Sequence, residues 1–249
     1  MSTIVYDCRW SSKTDEKFIN DFITVANSVF GGGFSKELFR KKYIDNIYGD
    51  SVVEVVYIDE TPVAARGLWR NDIMGKPSYQ PGDTCVTEVC RGRGIFTEMT
   101  KRSVEMLQSE DIIYNFPNQN SFPGYMKMGW KLIGEYGLAL FAGAKGYLKE
   151  HPVKMDIPYA DWWLEGAEGL YSFKSGNEYF LVRKMRKFCY KVCACVEEEI
   201  AQRFPEKPAG ICFYRSTKKT FYNKKLGLPL HVVSKNDIKH VPIWKIDAI

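Results

Sequence analysis

The segment Cys90-Arg91-Gly92-Arg93-Gly94-Ile95-Phe96 has the residue types needed to hold an anion. Two glycines let the backbone turn tightly, so that several N–H groups can aim at one phosphate. A helix opening at Ile95 adds the unpaired amides of its first turn and the positive end of its dipole. Arg91 and Arg93 add charge. The segment is not a P-loop, because no Gly-Lys-Ser/Thr follows. It is not the dinucleotide fingerprint either, since the third glycine of that pattern is absent and the strands before it form a meander. Taken alone, it also suits an ordinary flexible helix start.

The elements around it must supply a strand before and a helix after. Apolar positions 18, 22, 25 and 29 predict a helix over Glu16 to Phe30, with Thr14 as N-cap and Gly31-Gly32-Gly33 as its stop. Ser35 is read as the cap of a second helix through Phe39 and Tyr43. Val52 to Ile58 and Pro62 to Met74 read as strands joined by a turn at Asp59-Glu60-Thr61. Gly75 to Gly82 reads as a loop, and Asp83 to Val89 as the third strand of the meander. From Ile95 to Leu107, positions 95, 96, 99, 106 and 107 fall in one apolar stripe about 120° wide, a helix. Ile112 to Phe116 is a short buried strand, a helix-like turn surrounds Tyr125, and Leu138 to Phe141 is a further strand. This order predicts an α/β fold (α+β, with a mixed sheet).

Beyond that point, residues 146 to 165 read as a connector. Strands are expected at Tyr179 to Val182, Phe188 to Val196, Gly210 to Tyr214 and Val241 to Ile249. A helix is expected over Glu197 to Phe204, and a helix-like piece ending at Gly227. Ile112-Ile113-Tyr114 leads to Tyr125-Met126-Lys127-Met128-Gly129, and Ile211-Cys212-Phe213 leads to Tyr222-Asn223-Lys224-Lys225-Leu226-Gly227. This weak similarity is either chance or a degenerate second copy of the first half.

Composition narrows the class. The 249 residues are 45% apolar and 26% charged, which suits a sizeable core. A net charge of +5 is mild, and the basic residues are spread along the chain, so nucleic acid is not an expected partner. Seven cysteines and three histidines show no metal-ligand spacing, so no metal is expected and reduced, mostly buried thiols are. The N-terminus lacks a signal-peptide apolar region and Tyr136 to Ala144 is too short to span a membrane. The expectation is a cytoplasmic protein that does not use a membrane; the oligomeric state stays open.

With its flanking strand and helix, the loop resembles the signature of the GNAT superfamily of N-acyltransferases, Arg/Gln-x-x-Gly-x-Gly/Ala. Arg91 and Gly94 match and Phe96 departs. A second family element, Asn-x-x-Ala/Ser followed by Tyr, Lys and Gly-aromatic, is matched by Asn118, Ser121, Tyr125, Lys127, Gly129 and Trp130. The resemblance covers about residues 5 to 145. It implies a GNAT-like fold, with a catalytic domain over 1–148 and a C-terminal α/β subdomain over 149–249 that shapes the acceptor site. It implies acetyl-CoA, or another acyl-CoA, held by Val86, Arg91, Gly92, Arg93, Gly94, Ile95, Phe96, Asn118 and Ser121. It implies transfer of an acyl group to a primary amine by direct attack, with Tyr125 protonating the departing thiolate. Asp83 and Glu88, flanking the strand before the loop, are the candidate bases. An amino-sugar nucleotide is the leading acceptor. The competing classes are a non-catalytic acyl-CoA-binding or protein-binding module and a tandem aminoacyltransferase of the Fem type that uses charged tRNA. Phe96, in this reading, turns its ring into the core and leaves its amide to the cofactor.

Overall fold

The computed structural model describes residues 2–73, 75–140, 144–218, 229–242 and 244–247. It opens with a strand that was not expected, β1 (Ile4–Trp10). Its alternation of Tyr6, Cys8 and Trp10 with Asp7 and Arg9 is short, and the two charged residues pair with each other at 2.6 Å. Helix α1 (Glu16–Phe30) follows, capped by Asp15 rather than Thr14: the Asp15 carboxylate accepts from the Phe18 amide. Gly31 closes it in the left-handed region, φ 83°. Ser35 does cap α2 (Lys36–Phe39), which runs into a wide helical turn, Arg40–Ile44.

The meander is β2 (Val52–Ile58), β3 (Thr61–Arg70) and β4 (Ser78–Val86). β4 begins five residues before the expected Asp83, because Pro81 and Gly82 lie inside the strand instead of in a loop. Helix α3 (Ile95–Glu105) and strand β5 (Ile112–Asn115) follow, the helix stopping two residues short of the expected end. The strands run in the order β1-β2-β3-β4-β5. Neighbours are antiparallel except β4 and β5, which are parallel. Strand alternation divides the two faces. Val56 and Ala64 pack against Ile95 and Met99 of α3, whereas Gly67 lies under Tyr43 and Trp69 under Lys42, on the face covered by α1 and the turn after α2.

Next come α4 (Phe122–Lys127) and β6 (Lys131–Leu140), longer than the strand expected from 138. The expected connector over 146–165 is instead two helices, α5 (Ala144–Glu150) and α6 (Ile157–Trp163). Asp156 caps α6 and Pro158 sits in its first turn, where a missing N–H costs nothing. Strand β7 (Leu170–Ser175), also unexpected, pairs with β8 (Glu178–Arg186), and β8 with β9 (Cys189–Val196). Helix α7 (Glu198–Ala201) is one turn, shorter than the expected 197–204. β10 (Ile211–Ser216) and β11 (Leu230–Ser234) follow. The expected last strand is replaced by α8 (Trp244–Asp247), whose Trp244 packs on Tyr159 with ring centres 5.1 Å apart. The expected helix end at Gly227, and with it the 222–227 part of the internal similarity, lies outside the described residues.

The chain divides into two compact units. One holds Met1–Asn115, Gly124–Trp130 and Ser234–Asn236; the other holds Phe116–Pro123, Lys131–Val233 and Asp237–Ile249. The long segment of the first unit ends at Asn115, and β6, which pairs with β10, lies with the later strands. In the second unit the order is β11-β6-β10-β9-β8-β7, with β7, β8 and β9 an antiparallel meander and β10 parallel to β9. A meander, a helix and a strand parallel to the third meander strand thus occur in each unit. Among the described residues, no helix is long and apolar enough to cross a membrane.

Candidate active site

The loop after β4 is held at both ends and open in the middle. Cys90 and Ile95 are buried in the cluster with Val56, Ala64 and Met99, while Arg91 to Gly94 are exposed. A short helical turn, Glu88–Cys90, leads into it. Gly92 and Gly94 hold φ of 77° and 78°, which non-glycine residues rarely adopt. A Cβ at either would meet nothing within 4 Å, so their conformation, not crowding, calls for glycine. The amides of Thr97 and Glu98 both donate to the Gly94 carbonyl. The amides ahead of them belong to the unpaired end of α3. Arg91 turns back, its Nε donating to the Val86 carbonyl at 3.3 Å.

Beside this loop the sheet opens. β4 and β5 are in register only at Ser78 with Ile112 and Tyr79 with Ile113. The rest of β4 has β3 on one side and no registered partner in β5. Opposite Arg66 the register slips, so that Asp83 and Thr84 together face one residue. This is a bulge, with Asp83 at φ 49°.

The Asp83 carboxylate lies on the α1 face. Its Oδ2 accepts from Lys42 Nζ at 2.9 Å and from the Tyr43 hydroxyl. Tyr43 is fully buried, and burial, reinforced by the Asp83 charge, holds its phenol well above the usual value. It therefore remains a donor to Asp83.

Tyr125 lies on the α3 face and is 1% exposed. Its ring packs edge-on against Phe96 and Trp130, with centres 5.4 and 4.6 Å away. Its oxygen accepts from Arg66 Nη2 at 3.1 Å. Arg66 is itself buried, its other terminal nitrogen donates to Thr100, and its guanidinium lies 5.6 Å from the centre of the Phe96 ring. Because arginine cannot accept, this bond leaves the Tyr125 proton unused, and no acceptor for it is found among the described residues.

No protein-family model matches the chain, and no curated protein matches it in sequence. Solved structures do. A GCN5-related N-acetyltransferase from Anabaena variabilis matches 93% of this chain and 72% of its own, at 12% identity and a TM-score of 0.56. One from Kribbella flavida matches 94% and 71%, at 12% and 0.54. A candidate acetyltransferase from Pyrococcus horikoshii matches 95% and 92%, at 12% and 0.53. The chain has the GNAT acyl-CoA N-acyltransferase fold. At this identity the likeness is one of fold.

Within the GNAT fold, the remaining sequence-chosen residues separate. Glu88 is exposed in the turn after β4, and the Asp83 carboxylate is bound on the α1 face. Asn118 and Ser121 lie in the other unit. The Asn118 side chain accepts from the amides of Asn120 and Ser121, both at 3.0 Å, and Ser121 Oγ turns back to Asn118. They close the turn into α4. The Phe96 ring does face inward, onto Tyr125 and Gly124, but it is half-buried rather than fully buried.

Four residues of the candidate site were missed in the sequence: Lys42, Tyr43, Glu54 and Arg66. Glu54 and Arg66 are cross-strand partners, each the lone charge in an apolar strand run, VVEVV and AARGL. That solitary charge was the available signal. Glu54 is buried, its Oε2 accepts from Ser103 at 2.8 Å, and its Oε1 has no hydrogen-bond partner among the described residues. Burial pushes its carboxyl up to about 7, against the opposing Ser103 bond and the Arg66 charge.

Proposed function

We propose that this chain is an acyl-CoA-dependent N-acyltransferase acting on a primary amine. The observation that carries the reading is the way β4 parts from β5 after two residue pairs and runs into an exposed loop with two glycines at positive φ. Gly92 to Phe96 would hold the cofactor's pyrophosphate with backbone amides, and Arg91 and Arg93 would add charge. Acyl-CoA supplies the activated thioester. Asp83 would take the proton of the acceptor ammonium; Lys42 and Tyr43 occupy its Oδ2 and leave Oδ1 for a further donor. Tyr125 would return a proton to the departing sulfur, and Arg66 would stabilise the phenolate left behind. The matching position in the second unit does not suit a phosphate: the residues after β9 are Glu197, Glu198 and Glu199, without a glycine. One cofactor per chain, in the first unit, is therefore proposed.

Calorimetry with acetyl-CoA tests the reading, and heat of binding is expected. Gly94→Val should abolish it, because valine disfavours φ near 78° and its side chain would enter the open space above the loop. The melting temperature should fall by several degrees from the same backbone strain, so binding is compared below the variant's melting range. Release of free CoA across an amine panel then separates an enzyme from a binding module. Absence of heat with acetyl-, propionyl- and succinyl-CoA would refute the proposal.

A further inference from the structure

Lys42 and Asp83 are 41 residues apart and meet over a floor without side chains. Gly67 on β3 is in register with Gly82 on β4. A Cβ on Gly67 would lie 2.2 Å from the Tyr43 hydroxyl, and one on Gly82 would lie 3.3 Å from Lys42 Nζ. The paired glycines let both side chains reach Asp83. Lys42 Nζ also lies 4.9 Å from the centre of the Trp69 ring. The Lys42 and Asp83 side chains are only 12% and 21% exposed. The site is thus one cation and one anion, partly withdrawn from water and neutral as a pair.

That neutrality constrains the acceptor. An ammonium arriving at Asp83 Oδ1 places a second positive charge beside Lys42, where low solvent access weakens screening. A simple amine leaves that charge uncompensated, and a diamine adds another. An acceptor that carries its own anion near the amine restores the balance, ammonium to Asp83 and anion to Lys42. We infer that Lys42 and Asp83 form an acceptor subsite for a primary amine with a carboxylate or phosphate a few ångströms away. The inference rests on the acyltransferase reading for the identity of the group that Asp83 receives.

The test compares matched acceptors with the intact protein and acetyl-CoA: an amino acid against its amide, an amino-sugar phosphate against the free amino sugar, and a simple diamine. In at least one pair, the member that carries the anion should show a kcat/KM about tenfold or more above the member without it and above the diamine. Whether the carboxylate or the phosphate pair shows it identifies the source of the anion. Lys42→Met should erase the preference by raising KM for the member with the anion about tenfold more than for the member without it, and Lys42→Arg should keep the preference. Thermal melts check that both variants fold. Diamines or amines without an anion used equally well would overturn the subsite, as would a Lys42→Met variant that loses both members of a pair alike. In either case, transfer and acetyl-CoA binding by the unmodified protein would leave the acyltransferase reading standing. If acetyl-CoA neither binds nor donates to any amine, that reading falls and the subsite with it.

Discussion

Arg66 does two jobs that its sequence position hides: it carries a charge into the sheet interior and fixes the oxygen of Tyr125. If Tyr125 is the acid, Tyr125→Phe should lower kcat by about 10²-fold with little change in acetyl-CoA affinity. Arg66→Met should produce a similar loss. Because both residues act on one proton, the double variant should be barely slower than either single one. Fully multiplicative losses would mean that they act separately. Glu54 gives a second test, on stability. Its carboxyl is raised from 4.5 to about 7 in the folded protein. Between those values the folded state keeps a proton that the unfolded chain has released. Stability should therefore fall as pH rises from 4.5 to about 7, and level off above, with a full penalty of roughly 3 kcal/mol at most. Glu54→Gln should remove this slope and gain on the unmodified protein at about pH 8. The stability difference between the two proteins, followed by thermal melts across that range, should not be flat.

At the level of elements, the loop and α3 were legible because their signals are local: two glycines, then an apolar stripe ending inside the core at Ile95 and Met99. The departure at Phe96 was legible in direction but not in degree. Its ring covers Tyr125 and fills the space above Gly124, where a Cβ would come within 2.7 Å of it. Since the ring is half-buried, Phe96→Ala should cost about 1–3 kcal/mol, less than for a fully buried phenylalanine. Acetyl-CoA affinity should change by less than about tenfold. An unchanged melting temperature with strongly altered affinity would place the ring against the ligand instead. The start of β4 was not legible because Pro81 and Gly82 imitate a loop; the strand tolerates them where β5 has already left its side. The Lys42–Asp83 and Glu54–Arg66 pairs were not legible because a bulge and a strand register, not sequence proximity, create them.

Across the whole molecule, the first unit depends on residues from far along the chain. β5 has two registered pairs with β4, and segment 234–236 supplies further support. The Asn236 side chain accepts from the Ile113 amide at 2.7 Å and donates to the Asp111 carbonyl at 3.0 Å, while Ser234 Oγ and the Lys235 amide both donate to the Ile113 carbonyl. A chain ending near residue 148 loses all four bonds and the anchor of the strand that borders the opening in the sheet. It also leaves β6 without β10, stripping Ala139 and Tyr147 of Phe180, Tyr190 and Tyr214. Such a chain should be poorly soluble, melt lower and bind acetyl-CoA weakly, although it keeps the whole of Arg91 to Phe96 and Tyr125. The full-length variant Asn236→Ala isolates the brace. It removes two bonds around a partly buried strand and should cost about 1–3 kcal/mol, with no substitution near the loop. If β5 shapes the cofactor site, acetyl-CoA affinity should fall with stability in this variant. A truncated chain with the full-length melting temperature and affinity would show instead that the first unit stands without its distant residues.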